Sequence, residues 1–387
     1  MKRKIINLLT KIICFACASV ILFAFCNEKS YAGNYYTGNS TSNTNYNGTD
    51  FLNYQCVKTY ANGKKRIDNF SHYLRGVGSF YNIPGLLNTN IAGENCKDMV
   101  PQGICQMGDY TIISAYCYKH GHKPVLYAVK YGNVVATLVL PYSNYMHAGG
   151  IAFDGTYLWI ANGQTNYGES ARFGDESKRM YYIKKNVLEK AISSCEKEKS
   201  KSFTLPVSCA NQYVSLLYDP AFCTFFEGYL WCGKFSSTGV DMMYEYKIDK
   251  SVDNSPKLIN VGDMQVPRAT QGITFYRYNK EVYLITSNSW KREPKGFKDK
   301  KFEHSLIVYK PYDYDSENKK GGNSRDFHKG GRVCDITIPY MSEQISEKSS
   351  SLFVIFESYS KAYRSAVEGS NLCSKYCLLD FYKVCVE

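Results

Sequence analysis

Several familiar motifs are missing from this sequence of 387 residues. Past the first thirty or so residues there is no Cys-x-x-Cys pair, no His-Glu-x-x-His, no Gly-x-Ser-x-Gly and no glycine-rich phosphate loop. These absences set aside zinc ribbons, zincin-type proteases, nucleophile-elbow hydrolases and P-loop nucleotide enzymes. The six histidines fall in no recognised metal spacing, so neither a metal nor a cofactor is expected. Long apolar runs are also scarce: only Ile12–Phe25 stands out, and it is short for a membrane span.

That run follows Met1-Lys2-Arg3-Lys4 and precedes Ser30-Tyr31-Ala32. A basic head, an apolar middle and a small-x-small end read as a secretory leader, here residues 1–32. Its removal leaves no membrane span and places the chain outside the cell or at its surface. Residues 33–50 are Gly, Asn, Ser, Thr and Tyr with almost no aliphatic side chain, too poor in apolar surface to fold, and are expected to be a disordered linker. The remainder, 51–387, is expected to be a single domain and a monomer.

Cysteine, by contrast, is plentiful. Fifteen are present, and setting aside Cys14, Cys17 and Cys26 leaves twelve. An even set in an exported chain points to disulfides. Lys and Arg number 47 against 35 Asp and Glu, a formal charge of +12. The leader takes five cations and one carboxylate with it, leaving +8. A basic surface suits an acidic glycan, a protein or an anionic small molecule, while no specific nucleic-acid motif is present.

Apolar hairpins recur along the chain. Their inner strands begin near 101, 148, 221, 270 and 342, with Pro101-Gln102-Gly103-Ile104, Gly149-Gly150-Ile151 and Gln271-Gly272-Ile273 as the clearest starts. The hairpin His147–Ala161 turns at Asp154-Gly155, read as a type I′ turn. Two further strands follow each hairpin, the last usually ending in proline: Leu138–Pro141, Phe203–Pro206, Gln265–Pro267 and Ile336–Pro339. Four strands per repeat is the pattern of a propeller blade, so the fold class is all-β, a five-bladed β-propeller. The fifth repeat stops after its third strand, read as Leu379–Val384. Phe80-Tyr81-Asn82-Ile83-Pro84 supplies the missing one, an N-terminal strand closing the ring without open edges. Residues 184–198 carry a helical face of Val187, Leu188, Ala191 and Ile192, read as an insertion in the second blade.

These features resemble a largely uncharacterised family of exported bacterial β-propeller proteins. The resemblance rests on Pro101–Ile104, on Gly149–Gly155, on Phe356-Glu357-Ser358 and on Tyr363-Arg364. It covers roughly 80–387, departs at Ala221-Phe222 and Gln344, and implies the fold without an activity.

Cys223 and Cys232 fall opposite one another across the Glu227-Gly228 turn at a non-hydrogen-bonded position, where the spacing suits a disulfide. Propeller topology puts the loops between second and third strands on the same face as the connections between blades. The segments 162–178, 288–303 and 357–378 make that face rich in loops, and ligand contacts are expected there. Gln102, Gln271 and Glu343 begin inner strands at the channel mouth; Asn162, Asn288 and Glu357 end their partners; Arg268, His147 and Arg364 lie close by. Two functions follow. One is a secreted, disulfide-containing propeller binding a surface glycan or protein through this face. The other is an extracellular hydrolase or lyase acting on a polar or anionic small molecule, with Glu343, Glu357 and His147 as acid/base candidates and Gln102, Gln271 and Arg268 among its ligand contacts.

Two weaker signals remain. Asp313–Glu317 alternates carboxylates but lacks the glycine-centred calcium loop. The run Trp290–Lys301 mixes cations with aromatics, as a grip on an anionic polymer would.

Overall fold

In the computed structural model, strands form where β-branched and aromatic residues alternate, and each repeat folds as one antiparallel sheet. The structure describes residues 49–387 apart from 92–93, 164–173, 199–201, 237–240, 253–254, 291–302, 311–330, 366 and 368–371. The expected leader, nearly all of the expected linker, the basic run beyond Trp290 and Asp313–Glu317 lie outside the described residues. No helix among the described residues is long and apolar enough to cross a membrane.

Five blades are present, as the repeats require. From the axis outward, blade 1 is Met99–Met107, Tyr110–Cys117, Val125–Lys130 and Asn133–Val139. Blade 2 is Ile151–Phe153, Tyr157–Ala161, Arg179–Lys184 and Tyr213–Ser215. Blade 3 is Phe222–Phe226, Tyr229–Gly233, Asp241–Asp249 and Lys257–Val266. Blade 4 is Thr270–Tyr278, Glu281–Trp290, Glu303–Tyr309 and Arg332–Thr337. Blade 5 is Ser342–Lys348, Ser351–Phe356 and Lys375–Asp380, completed by Phe80–Asn82 with Tyr81 paired to Tyr376. The ring thus closes through the N-terminal strand.

Four details differ from the sequence reading. The helix Lys185–Glu198 does interrupt blade 2, burying Leu188, Ala191, Ile192 and Cys195. However, Ser202–Thr204 after it runs parallel to Asn133–Val139 as an extra edge of blade 1, and Tyr213–Ser215 completes blade 2 instead. The helix packs its apolar face on blade 1, which carries the chain across to that edge. At the other end, the strand stops at Asp380, whose carboxylate accepts hydrogen bonds from the backbone of Tyr382 and Lys383 and so caps the helix Phe381–Cys385. In the hairpin of blade 2 the turn lies one place later, at Gly155-Thr156. Asp154 accepts from the N–H groups of Thr156 and Tyr157 at 2.7 Å and from the Trp159 indole at 2.9 Å, which holds it at the strand end. Finally, Gln55–Tyr60 and Lys65–Asn69 extend blade 4 outward.

Those outer strands also anchor the far end of the chain. Lys58 is buried, and its ammonium donates to the carbonyls of Lys383 and Val384 at 2.8 and 3.1 Å, the open carbonyls of the last helix. Between blades the core is aromatic and aliphatic. Trp231 packs on Phe275 between blades 3 and 4, and Trp159 lies with Leu230 and Tyr246 between blades 2 and 3. Each such side chain contributes about 1.5–3 kcal/mol on burial.

At the axis the inner strands nearly touch. A Cβ on Gly150 would meet the Cys223 nitrogen at 2.6 Å, and one on Gly272 would meet Gln344 Cα at 2.7 Å, so only glycine fits. Gln344 itself is fully buried there. Its Oε1 accepts from the N–H groups of Ile104 and Ile151, each at 2.9 Å. Its Nε2 donates to the carbonyls of Ile151 at 2.6 Å and Cys223 at 3.0 Å. One side chain of blade 5 therefore satisfies backbone groups of blades 1, 2 and 3.

Gln344→Ala should leave those buried groups without partners and cost at least about 3 kcal/mol. Gln344→Leu, which keeps most of the volume, should recover little of that loss. Chemical denaturation of the three proteins checks this; a Leu variant as stable as wild type would make the site one of volume alone.

Candidate functional site

The inner strands of blades 1, 4 and 5 each carry a register shift at their start, between Pro101 and Ile104, Thr270 and Gly272, and Ser342 and Ile345. A bulge re-aims side chains. In blade 5 it lets Gln344 reach the axis while the preceding Glu343 bonds to Glu357, at the end of the neighbouring strand. Glu357 Oε2 also accepts from Gln102 Nε2 of blade 1 at 3.1 Å. The two carboxyls are 3% and 8% exposed. Burial first, and then the charge of Glu357, raises Glu343 well above the usual carboxylate range. Burial likewise pushes Glu357 up to about 8, against the opposing bonds from Glu343 and Gln102. Burial dominates both, so at neutral pH the pair holds on to protons.

A layer of rings covers this pair. The Tyr116 and Tyr363 hydroxyls bond to one another, and the Glu357 charge raises the Tyr363 phenol. Tyr116 stacks on His147 with ring centres 4.1 Å apart and planes 19° apart. His147 lies parallel to His120 at 6.3 Å, and His120 stacks on Tyr145 at 4.8 Å. Burial, with His120 alongside, lowers His147 to about 4. The loops carrying this ladder are latched together: Asn144 Nδ2 donates to the His120 carbonyl at 3.2 Å, and His120 Nδ1 lies 3.3 Å from the Asn144 carbonyl. Outward, Tyr118 meets Tyr363 edge-on at 6.0 Å. Tyr118 is 48% exposed and Tyr145 37%.

The predicted residues divide sharply. Glu343, Glu357 and Gln102 converge, with His147 one ring away. Asn288 instead ties its own blade, donating to the Arg268 carbonyl at 2.9 Å and Thr270 Oγ1 at 3.1 Å. Asn162 donates to the Glu176 carbonyl at 2.6 Å, and its own carbonyl accepts from His147 and Ala148 at 3.0 Å. Arg268 meets Asn288 through its backbone, its carbonyl accepting from the Asn288 side chain. Gln271 lies half-buried within the blade 4 bulge. Arg364 is exposed on the turn that begins at Glu357, its N–H bonded to the Ser360 carbonyl at 2.9 Å. Left-handed backbone recurs beside the site, at Ala148, Ala269 and Met341 with φ of 52°, 60° and 60°. Such strain gathers at functional faces.

Cys223 and Cys232 do pair in register, but as buried thiols, and all twelve cysteines of the described residues are thiols. The Cys232 sulfur is engaged by the Tyr218 hydroxyl at 3.0 Å, and burial pushes its thiol up to about 12. The aromatic ladder was not legible beforehand. Tyr116 stands on the second strand of blade 1 while His120, Tyr145 and His147 come from two loops, and only the folded blade stacks them. A groove of about 620 Å³ lies elsewhere, on the rim between the Lys185–Glu198 helix, Phe203 and Pro206, and shares no residue with the carboxyl cluster.

No family model and no curated protein matches this sequence. Among solved structures the chain is similar to glutaminyl cyclase from Myxococcus xanthus, at 9% identity and TM-score 0.36, covering 78% of this chain and 93% of that one. It is similar to a chain of a nidogen/laminin complex at 9% identity and TM-score 0.35, covering 78% and 85%. It is also similar to exo-β-1,3-galactanase from Phanerochaete chrysosporium at 12% identity and TM-score 0.42, covering 79% and 66%. None of these likenesses bears on activity; the five-bladed architecture rests on the strand pairing above.

The carboxyl pair makes stability depend on pH with a definite sign. A carboxyl raised to about 8 in the fold keeps its proton more firmly than the unfolded chain does, so stability falls as pH rises from about 4.5 to about 8. His147 acts on the other limb: lowered to about 4, its contribution is complete above 6.5 and fades as pH drops through 4. Glu357→Gln should flatten the first limb and leave the second. Thermal midpoints of both proteins from pH 4 to 9 test this; parallel curves would show that Glu357 ionises normally.

Proposed function

We propose that this chain is an exported binding propeller that holds a surface glycan on its loop-rich face. What carries the reading is the ladder Tyr116–His147–His120–Tyr145, continued by Tyr118 and Tyr363 and flanked by the exposed cations Arg364 and Lys119. Stacked rings held by latched loops offer flat apolar faces with wet polar edges, which suits a sugar ring, and the cations suit its acidic substituents. Export by the N-terminal leader and oxidation of the in-register pair Cys223–Cys232 belong to the same proposal.

The catalytic alternative would use Glu343 and Glu357, whose raised carboxyls are its support. Their arrangement favours binding. Two carboxyls that cleave a glycoside stand about 5–9.5 Å apart around the scissile bond. Here they bond to each other, buried beneath Tyr116 and Tyr363, with His147 held neutral. A pair of this kind shares protons and braces the mouth; it leaves no space for a sugar between them.

A glycan-array screen of the full chain, paired with a substrate panel, distinguishes the readings. Tyr145→Ala and Tyr118→Ala should each weaken glycan binding by about 2- to 12-fold, the value of one ring contact. Glu357→Gln should bind as wild type does. Turnover of any substrate that Glu357→Gln abolishes would overturn the binding reading in favour of the catalytic one.

A further inference from the structure

The short hairpin Thr89–Ile91 and Glu94–Cys96 stands ahead of blade 1, outside the blade sheets. Its last residue, Cys96, is buried against Cys117, the last residue of the second strand of blade 1. The two sulfurs lie 3.6 Å apart, and His122 Nδ1 lies 3.7 Å from the Cys117 sulfur. The three ligand atoms all fall within 4.8 Å of one another, the one such cluster among the described residues. We propose that Cys96, Cys117 and His122 bind zinc and so clamp the hairpin to the rim of blade 1.

Two observations carry the assignment. First, zinc bound at about 2.3 Å to sulfur and 2.0–2.1 Å to nitrogen gives tetrahedral ligand–ligand edges of roughly 3.5–3.8 Å, and the Cys96–Cys117 and Cys117–His122 separations of 3.6 and 3.7 Å match two of them. A disulfide needs its sulfurs at about 2.05 Å. Second, His122 points its other ring nitrogen at Glu94, with Nε2 3.2 Å from the carboxylate. A carboxylate on the far nitrogen fixes the tautomer that leaves Nδ1 free to ligate, the usual outer partner of a zinc-bound histidine.

Two thiolates and an imidazole form a soft donor set that selects zinc over calcium or magnesium. His122 is half-buried and Glu94 exposed, so an ion can enter from solvent, and the fourth tetrahedral position is left for water. The sequence hides the site, because Cys96-x20-Cys117-x4-His122 matches no familiar spacing. Only the return of the hairpin onto blade 1 brings the first cysteine to the other two ligands. The site is separate from the glycan reading, although His122 lies in the loop that carries Tyr118 and His120.

The test uses the full chain, purified with thiols reduced and oxygen excluded, and Zn(II) or Co(II) as the probe. Wild type should retain one zinc per chain through gel filtration, and cobalt should give thiolate-to-metal absorption. Cys96→Ser and Cys117→Ser should abolish both. Glu94→Gln, which removes only the outer partner, should weaken zinc binding by about 10- to 100-fold, and His122→Gln, which removes a ligand, by at least as much, both with unchanged circular dichroism. No retained zinc, or zinc retained equally by Cys96→Ser and His122→Gln, would overturn the site. So would a Cys96–Cys117 disulfide found by peptide mass mapping in protein recovered from an exporting host.

Discussion

Closing five sheets around an axis creates a problem of polar satisfaction. The inner strands meet where there is no room for water, yet each brings backbone N–H and carbonyl groups to the centre. Gln344 resolves it. A primary amide offers an acceptor and a two-proton donor on one plane, and here it serves Ile104, Ile151 and Cys223 on three other blades. Neighbouring contacts extend the arrangement: Ser114 donates to the Ala148 carbonyl at 2.7 Å, and the Ser287 hydroxyl to Ser342 at 2.8 Å. The glycines at the equivalent inner positions follow from the same closeness, since any side chain there would displace the next blade. What looks in the sequence like a defect in the fifth repeat is the residue that satisfies the inner strands of the first three.

That constraint shapes the loop-rich face. The bulge that delivers Gln344 to the axis also places Glu343 beside Glu357, so the carboxyl pair is partly a consequence of how blade 5 enters the centre. Once there, the carboxyls are too buried to ionise together, and they knit blade 5 to Gln102 of blade 1. The rings above complete the cover. Burial disfavours charge on His147 and on both carboxyls, so this part of the face is neutral at physiological pH. Its cations stand outside, on Lys119 and Arg364. A neutral aromatic floor with a basic rim is suited to recognition more than to proton transfer.

The two ends of the chain show how a ring is secured against opening. Phe80–Asn82 completes blade 5 through backbone hydrogen bonds, but a three-residue strand is a weak fastener by itself. The outer strands on blade 4 add a second. Lys58 reaches into the core to the C-terminal helix, Lys383 reaches back to the carbonyls of His72 and Leu74, and Arg66 pairs with Glu387 at 2.8 Å. The surface ion pair adds little. The buried lysine matters more, because removing its partners would strand a charge.

Period-two alternation, tight turns and the repeated glycine-isoleucine starts were enough to read the five blades, the helix and the closing strand from the chain, because these signals are local and act through backbone geometry. The Glu227-Gly228 turn is the plainest case: both residues take the left-handed φ that a two-residue hairpin turn demands, 47° and 88°. Destinations were another matter. Nothing near Ser202–Thr204 says that it joins blade 1 and not blade 2, since a three-residue strand pairs with whichever edge its helix delivers it to. Glu343 and Glu357 could be named as mouth residues, but not as a hydrogen-bonded pair, and the bonds by which Asn162 and Asn288 tie their loops could not be read at all. The aromatic ladder and the cluster of Cys96, Cys117 and His122 belong to the same class. Each assembles side chains from separate segments, and only packing at long range decides which of them meet.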